Sequence, residues 1–187
     1  MGMLLIASTY AWFTLSTAPE VTGITTAVGA NGERSMVVLR PADAEDTIAA
    51  WKIALEEQRP VALILSRQNI KNLPTLSASR RDEAMQSQKG AYIVVDSAKP
   101  KVVMIASGSE VATLVEGAEL LKKEGINVRV VDVPSEGLFR DQPKSYQEAV
   151  IPSDAIRYGM TSGLPVTLLG LVGSMENIHG LNHFGHS

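Results

Sequence analysis

The chain has 187 residues, of which 45% are hydrophobic and 20% are charged, and its formal net charge is −3. This composition is typical of a globular protein with a core, and the small negative charge gives nucleic acid or anionic membranes no general attraction. The chain contains no cysteine. Disulfides, thiol catalysis and cysteine metal sites are therefore excluded, and a reducing compartment such as the cytoplasm is expected.

Residues 1–35 form a lead-in whose first 19 residues carry no charged side chain. A signal peptide normally has a basic start followed by a continuous apolar centre. No Lys or Arg precedes the apolar run at Leu4, and serines and threonines interrupt the apolar residues around it. We therefore expect neither a signal peptide nor a membrane span here.

Residues 36–58 predict a strand followed by a helix. Met36 to Leu39 is a short β-forming run, and Asp43 is a suitable N-cap for a helix with acidic residues in its first turn. The helix should end near Gln58, because Pro60 disfavours helical geometry in the preceding residue. Four apolar residues recur at helical spacing and form one stripe: Ala44, Ile48, Trp51 and Leu55.

The apolar run Val61 to Leu65 predicts a strand buried on both faces, as in parallel sheets covered by helices. With the preceding strand and helix it makes one βαβ unit. Ligands of such sheets bind beyond the carboxyl ends of the strands, and Arg40 and Ser66-Arg67 lie at that edge. Arg67 is the candidate anion-binding residue, because its guanidinium suits phosphate or carboxylate; the alternative is a surface arginine.

Residues 71–89 are polar and show no sustained apolar period. They predict a linker or a loosely packed helical excursion with few buried contacts, and they mark the best domain boundary in the chain.

A second α/β pattern begins after Gly90. Ala91 to Val95 and Val102 to Ala106 predict two strands whose short connection is compatible with a hairpin. A helix with a capping box from Ser107 to Glu110 should follow, and then a strand over Ile126 to Val133, which makes another parallel βαβ unit.

Phosphate often binds at such a helix start, but the glycines and lysine of known phosphate loops are absent. A capped helix without a ligand is the favoured interpretation.

Three histidines, His179, His183 and His186, lie close together at the end of the chain. Histidine is a common metal ligand. The neighbouring glycines and the position near a chain end offer little support for orienting the rings. We therefore predict loop histidines and no metal site.

Several motifs occur in the order seen in transketolases, and together they identify a resemblance that no single motif could carry. They are Arg40–Asp43, Trp51–Lys52, Pro60–Gln68, Gly90–Tyr92, Ile105–Val111, Val130–Phe139, Tyr158–Pro165 and Gly170–Gly173. The resemblance implies an α/β fold with mostly parallel sheets and helices on both faces. It also implies a homodimeric enzyme of the pentose phosphate pathway that uses thiamine diphosphate and Mg²⁺. Such an enzyme moves a two-carbon ketol unit from a ketose phosphate to an aldose phosphate.

The resemblance covers only the last part of a transketolase. Residues 36–70 resemble the end of the pyrimidine-binding domain, 71–89 a linker, and 90–187 the C-terminal domain without its final helix. Residues 1–34 lack the family's Gly-Glu-Asp-Gly-Pro-Thr-His pattern, and Leu169 stands where the family has a glutamate. We therefore expect no catalytic, cofactor-binding or metal-binding residue in this chain, and no activity of the chain alone.

The resemblance assigns one site residue of the family to a position in this chain. The arginine of the Ser-Arg-Gln motif helps to hold the substrate phosphate, and here it is Arg67. Three interpretations stay open: an incomplete C-terminal portion of a transketolase, a stand-alone binding or assembly module that lost the chemistry, and one half of a split enzyme.

Overall fold

The computed structural model describes residues 36–181, which form a two-stranded and a five-stranded sheet with helices around them. The small sheet consists of β1 (Val37–Leu39) and β2 (Val61–Leu63), joined by helix α1 (Ala44–Glu56). The later elements are α2 (Arg80–Ala84), β3 (Tyr92–Val95), β4 (Val102–Ala106), α3 (Glu110–Lys123), β5 (Val128–Asp132), α4 (Glu136–Arg140), α5 (Lys144–Val150), β6 (Ile156–Met160), α6 (Leu169–Val172) and β7 (Ile178–His179). The fold class is α/β with a mostly parallel sheet, as the sequence predicts.

Helix α1 begins where its capping residue predicts. The backbone amide of Asp46 donates to the carboxylate of Asp43 at 2.9 Å, which satisfies one of the free amides at the helix start. Strands β1 and β2 pair in parallel, with Leu39 opposite Leu63. The predicted βαβ unit is therefore confirmed.

The apolar stripe of α1 is not the face that packs against the sheet. The buried residues of α1 include Ala49, Ala50 and Ile53. In contrast, Trp51 is 49% exposed and Leu55 is 82% exposed. Ala50 and Ile53 pack in one cluster with Val37 and Leu39 of β1, and Ile48, Trp51 and Leu55 are left on the outer side.

Strand β2 is shorter and more exposed than the sequence predicts. Regular pairing covers Val61–Leu63, whose residues are half-buried, and the next two residues, Ile64 and Leu65, are exposed. The expectation of a strand buried on both faces over five residues is wrong. Among residues 36–181, β2 has one paired neighbour, β1, so that its far edge has no partner strand.

Residues 71–89 are better packed than their polar composition suggests. They contain α2 and a 3₁₀ turn over Met85–Lys89, and the buried residues include Leu73, Glu83, Ala84 and Ser87. The expectation of few buried contacts is wrong for these positions, because α2 packs against α1 and buries its inner side. The domain boundary itself stays a prediction.

The five-stranded sheet has the order β3-β5-β4-β6-β7, and β3 is its antiparallel strand. The hairpin expectation for β3 and β4 is wrong, because β5 lies between them. The predicted unit of β4, α3 and β5 is confirmed by the parallel pairing of its two strands.

Gly90, just before β3, has a φ of +84°, and a Cβ there would lie 2.1 Å from the backbone nitrogen of Phe139. Glycine is therefore required at this position.

Both faces of the five-stranded sheet are covered. Alternate residues of a strand point to opposite faces, so that Met104 packs with Leu114 of α3 whereas Ile105 packs with Phe139 of α4. Helices α5 and α6 contribute Val150 and Leu171 to the second layer. The core of this part is thus a sheet between two layers of helices.

Within residues 36–181, no helix has both the length and the apolar character that crossing a membrane requires.

Candidate functional site

Arg67 lies in a loop just beyond the carboxyl end of β2. The backbone amide of Ile64 donates to the carbonyl of Leu39 at 2.8 Å, so that the chain leaves the small sheet at the same end as β1. The loop then turns at Ser66, whose hydroxyl accepts from the amide of Gln68 at 3.3 Å. The position agrees with the strand-end placement that the sequence predicts.

The side chain of Arg67 is exposed, and it makes no hydrogen bond or ion pair with any residue in the range 36–181. A guanidinium that has five donors and no protein acceptor is available to an anion from solution. This arrangement can bind a phosphate at the surface. Its role in substrate binding is a proposal, which is developed below.

Arg40, which was expected at the same edge, contacts the five-stranded sheet. Its Nη2 lies 3.5 Å from Oε2 of Glu110 and donates to the hydroxyl of Ser162 at 3.3 Å. The backbone of Arg40 also accepts from the amide of Gly108 and donates to the carbonyl of Pro134. The carboxyl end of β1 therefore meets the carboxyl ends of β4, β5 and β6, where α/β proteins bind ligands.

The loop between β4 and α3 does not form the predicted capping box. Ser109 is the N-cap residue and its side chain makes no capping hydrogen bond to the helix. Its hydroxyl instead donates to the carboxylate of Glu110 at 3.0 Å. Glu110 thus faces Ser109 and Arg40, and its negative charge lies at the positive end of the helix dipole. That this helix start binds no ligand stays a prediction.

A buried polar network joins α1 to the five-stranded sheet. The hydroxyl of Tyr92 lies 2.7 Å from Oδ1 of Asp46 and 3.2 Å from Oδ2 of Asp132, and all three residues are at most 1% exposed. A phenol has one hydrogen and can donate it to one carboxylate only. A proton on Asp132 would allow the second contact to be a hydrogen bond too. Burial, together with the nearby charge of Asp46, raises the pKa of Asp132 well above its usual value.

Arg80 supplies the positive charge of this network. Its Nε donates to Oδ2 of Asp43 at 2.8 Å, and its Nη2 lies 3.3 Å from Oδ1 of Asp46 and 2.6 Å from the hydroxyl of Tyr92. The side chain of Arg80 is 10% exposed. One guanidinium thus faces three carboxylates, counting Asp132, and a proton on Asp132 lowers the excess negative charge. The network is largely buried and holds four segments of the chain together, namely α1, α2, β3 and β5.

Sequence reasoning missed this network, because its members are far apart in the chain. Asp46 was recognised only as a residue of the first helical turn, and Arg80 only as part of a polar segment. One signal was present: Asp132 follows Val130 and Val131 in β5, a strand that the sequence predicts as part of a parallel βαβ unit. A carboxylate in such a position needs a partner or a proton.

Of the three histidines, His179 lies in β7 and is exposed, whereas His183 and His186 fall outside the described residues. Residues 36–181 contain no group of three histidine, aspartate or glutamate side chains that could hold a metal ion. The prediction that the three histidines form no metal site remains to be tested.

Comparison with known proteins identifies the family. Residues 90–187 match the family described as the transketolase-like TK C-terminal domain. The chain belongs to the transketolase family. The matched region contains the entire five-stranded sheet and the helices on both of its faces.

The similarity extends to full transketolases in sequence and in structure. A transketolase of Staphylococcus epidermidis is 39% identical over 156 residues, which are 82% of this chain and 23% of that protein. The solved transketolase of Leishmania mexicana superposes with a TM-score of 0.72 at 33% identity, covering 81% of this chain and 21% of that one. The transketolase of Campylobacter jejuni subsp. jejuni gives a TM-score of 0.72 at 31% identity, covering 84% and 23%. This chain therefore corresponds to a C-terminal portion and spans about a quarter of the length of these transketolases.

Proposed function

We propose that this chain is the C-terminal portion of a thiamine-diphosphate-dependent transketolase of the cytoplasmic pentose phosphate pathway. The complete enzyme transfers a two-carbon ketol unit from a ketose phosphate to an aldose phosphate, with Mg²⁺ as second cofactor and a homodimer as the working unit. The observation that carries the proposal is the family match over residues 90–187, with 39% identity to a full transketolase. In this proposal residues 36–70 end the pyrimidine-binding domain and 71–89 link it to the C-terminal domain.

The side chains of residues 36–181 do not fit the cofactor pair. A magnesium–diphosphate site needs several oxygen ligands around the ion, and residues 36–181 bring no three carboxylate or histidine side chains together for a metal. Residues 1–34 lack the family's pattern for this site. We therefore propose that the cofactors are held by other parts of the enzyme and that this chain alone is inactive.

The outer surface of the small sheet supports a place within a larger domain. Parallel sheets are normally covered on both faces by helices, and a two-stranded sheet is marginal by itself. Here Trp51 and Leu55 on α1, and Ile64 and Leu65 after β2, are exposed apolar side chains. Further strands and helices of the enzyme would cover them.

Arg67 is the proposed contribution of this chain to substrate binding. Its guanidinium is exposed beyond the carboxyl end of a parallel strand and has no protein partner in residues 36–181. Both substrates of the proposed reaction carry a phosphate, which a guanidinium binds through two parallel hydrogen bonds. Arg67 would therefore orient the sugar phosphate without taking part in the chemistry.

Calorimetry and complementation test the proposal. We expect that the chain alone, in the presence of magnesium, does not bind thiamine diphosphate with micromolar affinity. Mixed with the part of the Staphylococcus epidermidis transketolase that precedes its matched residues, it should restore ketol transfer. Leu55→Glu should impair this restoration, since the change places a charge on the exposed outer side of α1. The matched control Leu120→Glu, on the exposed side of α3, should not.

The outcomes separate a portion of an active enzyme from an assembly module. Micromolar cofactor binding by the chain alone would contradict the proposed division of roles. Assembly with the N-terminal part without any activity would instead favour an assembly module that has lost the chemistry.

A further inference from the structure

The loop that carries Arg67 is anchored at both ends to one short segment, which runs from Leu39 to Asp43. At the start of the loop, the backbone amide of Ile64 donates to the carbonyl of Leu39 at 2.8 Å. At its end, the amide of Leu73 donates to Oδ2 of Asp43 at 2.9 Å, and the side chain of Leu73 is buried in the core. Arg67 lies between these two anchors and is exposed. We call the segment from Leu39 to Asp43 the base of the loop.

Hydrogen bonds to other parts of the protein do not hold the middle of the loop. Among residues 36–181, the stretch 65–69 makes one hydrogen bond, from the amide of Gln68 to the hydroxyl of Ser66, and both partners belong to the loop. An exposed loop with few contacts of its own is the least stable part of a fold, and its anchors limit where it can lie. Arg67 therefore takes its position from the base.

Arg40 fastens the base to the five-stranded sheet. Its backbone amide donates to the carbonyl of Pro134 at 2.8 Å, and its carbonyl accepts from the amide of Gly108 at 3.2 Å. Its Nη2 donates to the hydroxyl of Ser162 at 3.3 Å and lies 3.5 Å from the carboxylate of Glu110. Pro134, Gly108 and Ser162 come just after β5, β4 and β6. Arg40 is thus bonded to the carboxyl ends of three neighbouring strands.

Asp43 fastens the other end of the base. Its Oδ1 accepts from the amide of Asp46, which caps α1, and its Oδ2 accepts from both Leu73 and Nε of Arg80. The residue is fully buried. A carboxylate can serve these three donors, whereas an asparagine has one acceptor oxygen and cannot serve the cap and the loop together. Asp43 therefore joins the end of the loop to the helix start and to the buried network.

We propose that Arg40 and Asp43 are positioning residues, which act through the base to hold Arg67 where it meets the substrate phosphate. This role rests on the proposed function of Arg67 and adds two residues that act only through it. A guanidinium binds phosphate best when two parallel N–H groups face the oxygens. A misplacement of about 1 Å can remove much of the effect of a well-oriented group. Loosening the base therefore weakens phosphate recognition although Arg67 itself is unchanged.

Hydrogen exchange measured on the full chain tests whether the base holds the loop. Arg40→Ala removes both side-chain contacts of this residue but leaves its backbone able to bond. We expect the amides of Ile64 and Leu73 to exchange about 2- to 12-fold faster in this variant, which is the effect of losing support worth one hydrogen bond. The control Arg157→Ala removes a half-buried arginine that donates to two carbonyls near the start of β6. It should leave both amides unchanged.

Kinetics in a complete enzyme that contains this chain test the effect on phosphate recognition. Asp43→Asn and Arg40→Ala should each lower kcat/KM for phosphorylated donors at least about threefold and have little effect on a small unphosphorylated donor. In an Arg67→Ala background neither change should lower kcat/KM further, because residues that act through one contact are not additive. Arg40→Lys keeps a charge beside Glu110 and should recover part of the loss. The control Arg157→Ala should leave both donors unaffected.

Failure of the positioning role can be told apart from failure of the role of Arg67. The positioning role alone is overturned if Arg67→Ala acts on phosphorylated donors as expected while the base variants change neither donor, slow both equally, or add their effect to that of Arg67→Ala. If Arg67→Ala slows both donors equally, both roles are overturned.

The side chain of Arg40 is 28% exposed, so Arg40→Ala should fold even where a change at the buried Asp43 does not. Unchanged exchange of the two loop amides in Arg40→Ala would overturn the positioning role of Arg40 whatever the kinetics show.

Discussion

The small sheet and the five-stranded sheet start from the same local pattern but reach different degrees of burial. Each contains a parallel strand–helix–strand unit, β1-α1-β2 in one and β4-α3-β5 in the other. In the larger sheet two helical layers cover both faces, and Ile105 and Leu114 are at most 1% exposed. In the smaller sheet Leu55 is 82% exposed. A local pattern therefore sets the elements, whereas the number of neighbouring layers sets what is buried.

Charged residues in the two regions differ in the same way. Arg67, in the open region, is exposed and free of partners in residues 36–181. Arg80, where α1 meets the large sheet, is held by two aspartates and a tyrosine. An exposed guanidinium can serve a ligand, and a buried one serves the architecture.

Removing the buried cation should have the largest effect. Arg80→Ala leaves Asp43 and Asp46 buried without their ion-pair partner, which should cost about 3–5 kcal/mol of unfolding free energy. Urea denaturation followed by circular dichroism measures this. The neighbouring Arg81 has a 63% exposed side chain and pairs with Glu45 at the surface, so Arg81→Ala should have little effect on stability. Equal losses in the two variants would show that the network does not hold the regions together.

Truncating an apolar side chain should lower the unfolding free energy much more at α3 than at α1. Leu114→Ala, in the core under α3, should lower the unfolding free energy by about 2–5 kcal/mol, because it leaves a cavity. Leu55→Ala, on the outer side of α1, should change it by no more than about 0.5 kcal/mol. The same urea titrations check both. A large loss for Leu55→Ala in the isolated chain would mean that the outer side of α1 is already covered there.

The role of Arg67 is to be measured in a complete enzyme that contains this chain. A charge-assisted contact to phosphate contributes roughly 1.5–3 kcal/mol. Arg67→Ala should therefore lower kcat/KM for phosphorylated donors about 10- to 150-fold. It should have little effect on a small unphosphorylated donor, and Arg67→Lys should recover only part of the loss. Equal damage with both donors would assign Arg67 to folding or assembly.

The proton of Asp132 should make stability depend on pH. Because folding raises the pKa of Asp132 above its unfolded value of about 3.9, its contribution to stability is complete below that pH. The contribution is lost as pH rises toward the higher native value. Asparagine does not ionise, so the Asp132→Asn variant lacks this loss. The unfolding free energy of Asp132→Asn relative to that of the unchanged chain should therefore increase with pH, by at most about 1.4 kcal/mol per pH unit.

Urea midpoints at pH 5 and pH 8 test this dependence. Asp154→Asn, at an exposed position, is the matched control and should show no such trend. A parallel pH dependence of Asp132→Asn and the unchanged chain would mean that Asp132 is ionised in the native state. The side chains that face it are those of Asp46 and Tyr92, with Arg80 beside them as a fixed cation.

The amino-acid sequence by itself determined the local elements and the family. The N-cap at Asp43, strand β4 and the two parallel units follow from capping chemistry and apolar runs, which act over a few residues. The ordered motifs led to transketolase, which the match over residues 90–187 supports. The position of Arg67 beyond a strand end also follows from this local reasoning.

Only the tertiary structure decided which elements meet. Strand β3 pairs with β5 and not with its neighbour in sequence, and α1 packs its alanines inward while its larger apolar residues face outward. Asp46, Arg80, Tyr92 and Asp132 converge from positions up to 86 residues apart. Strand pairing, burial and charge pairing depend on contacts between distant segments, so that no local pattern contains them.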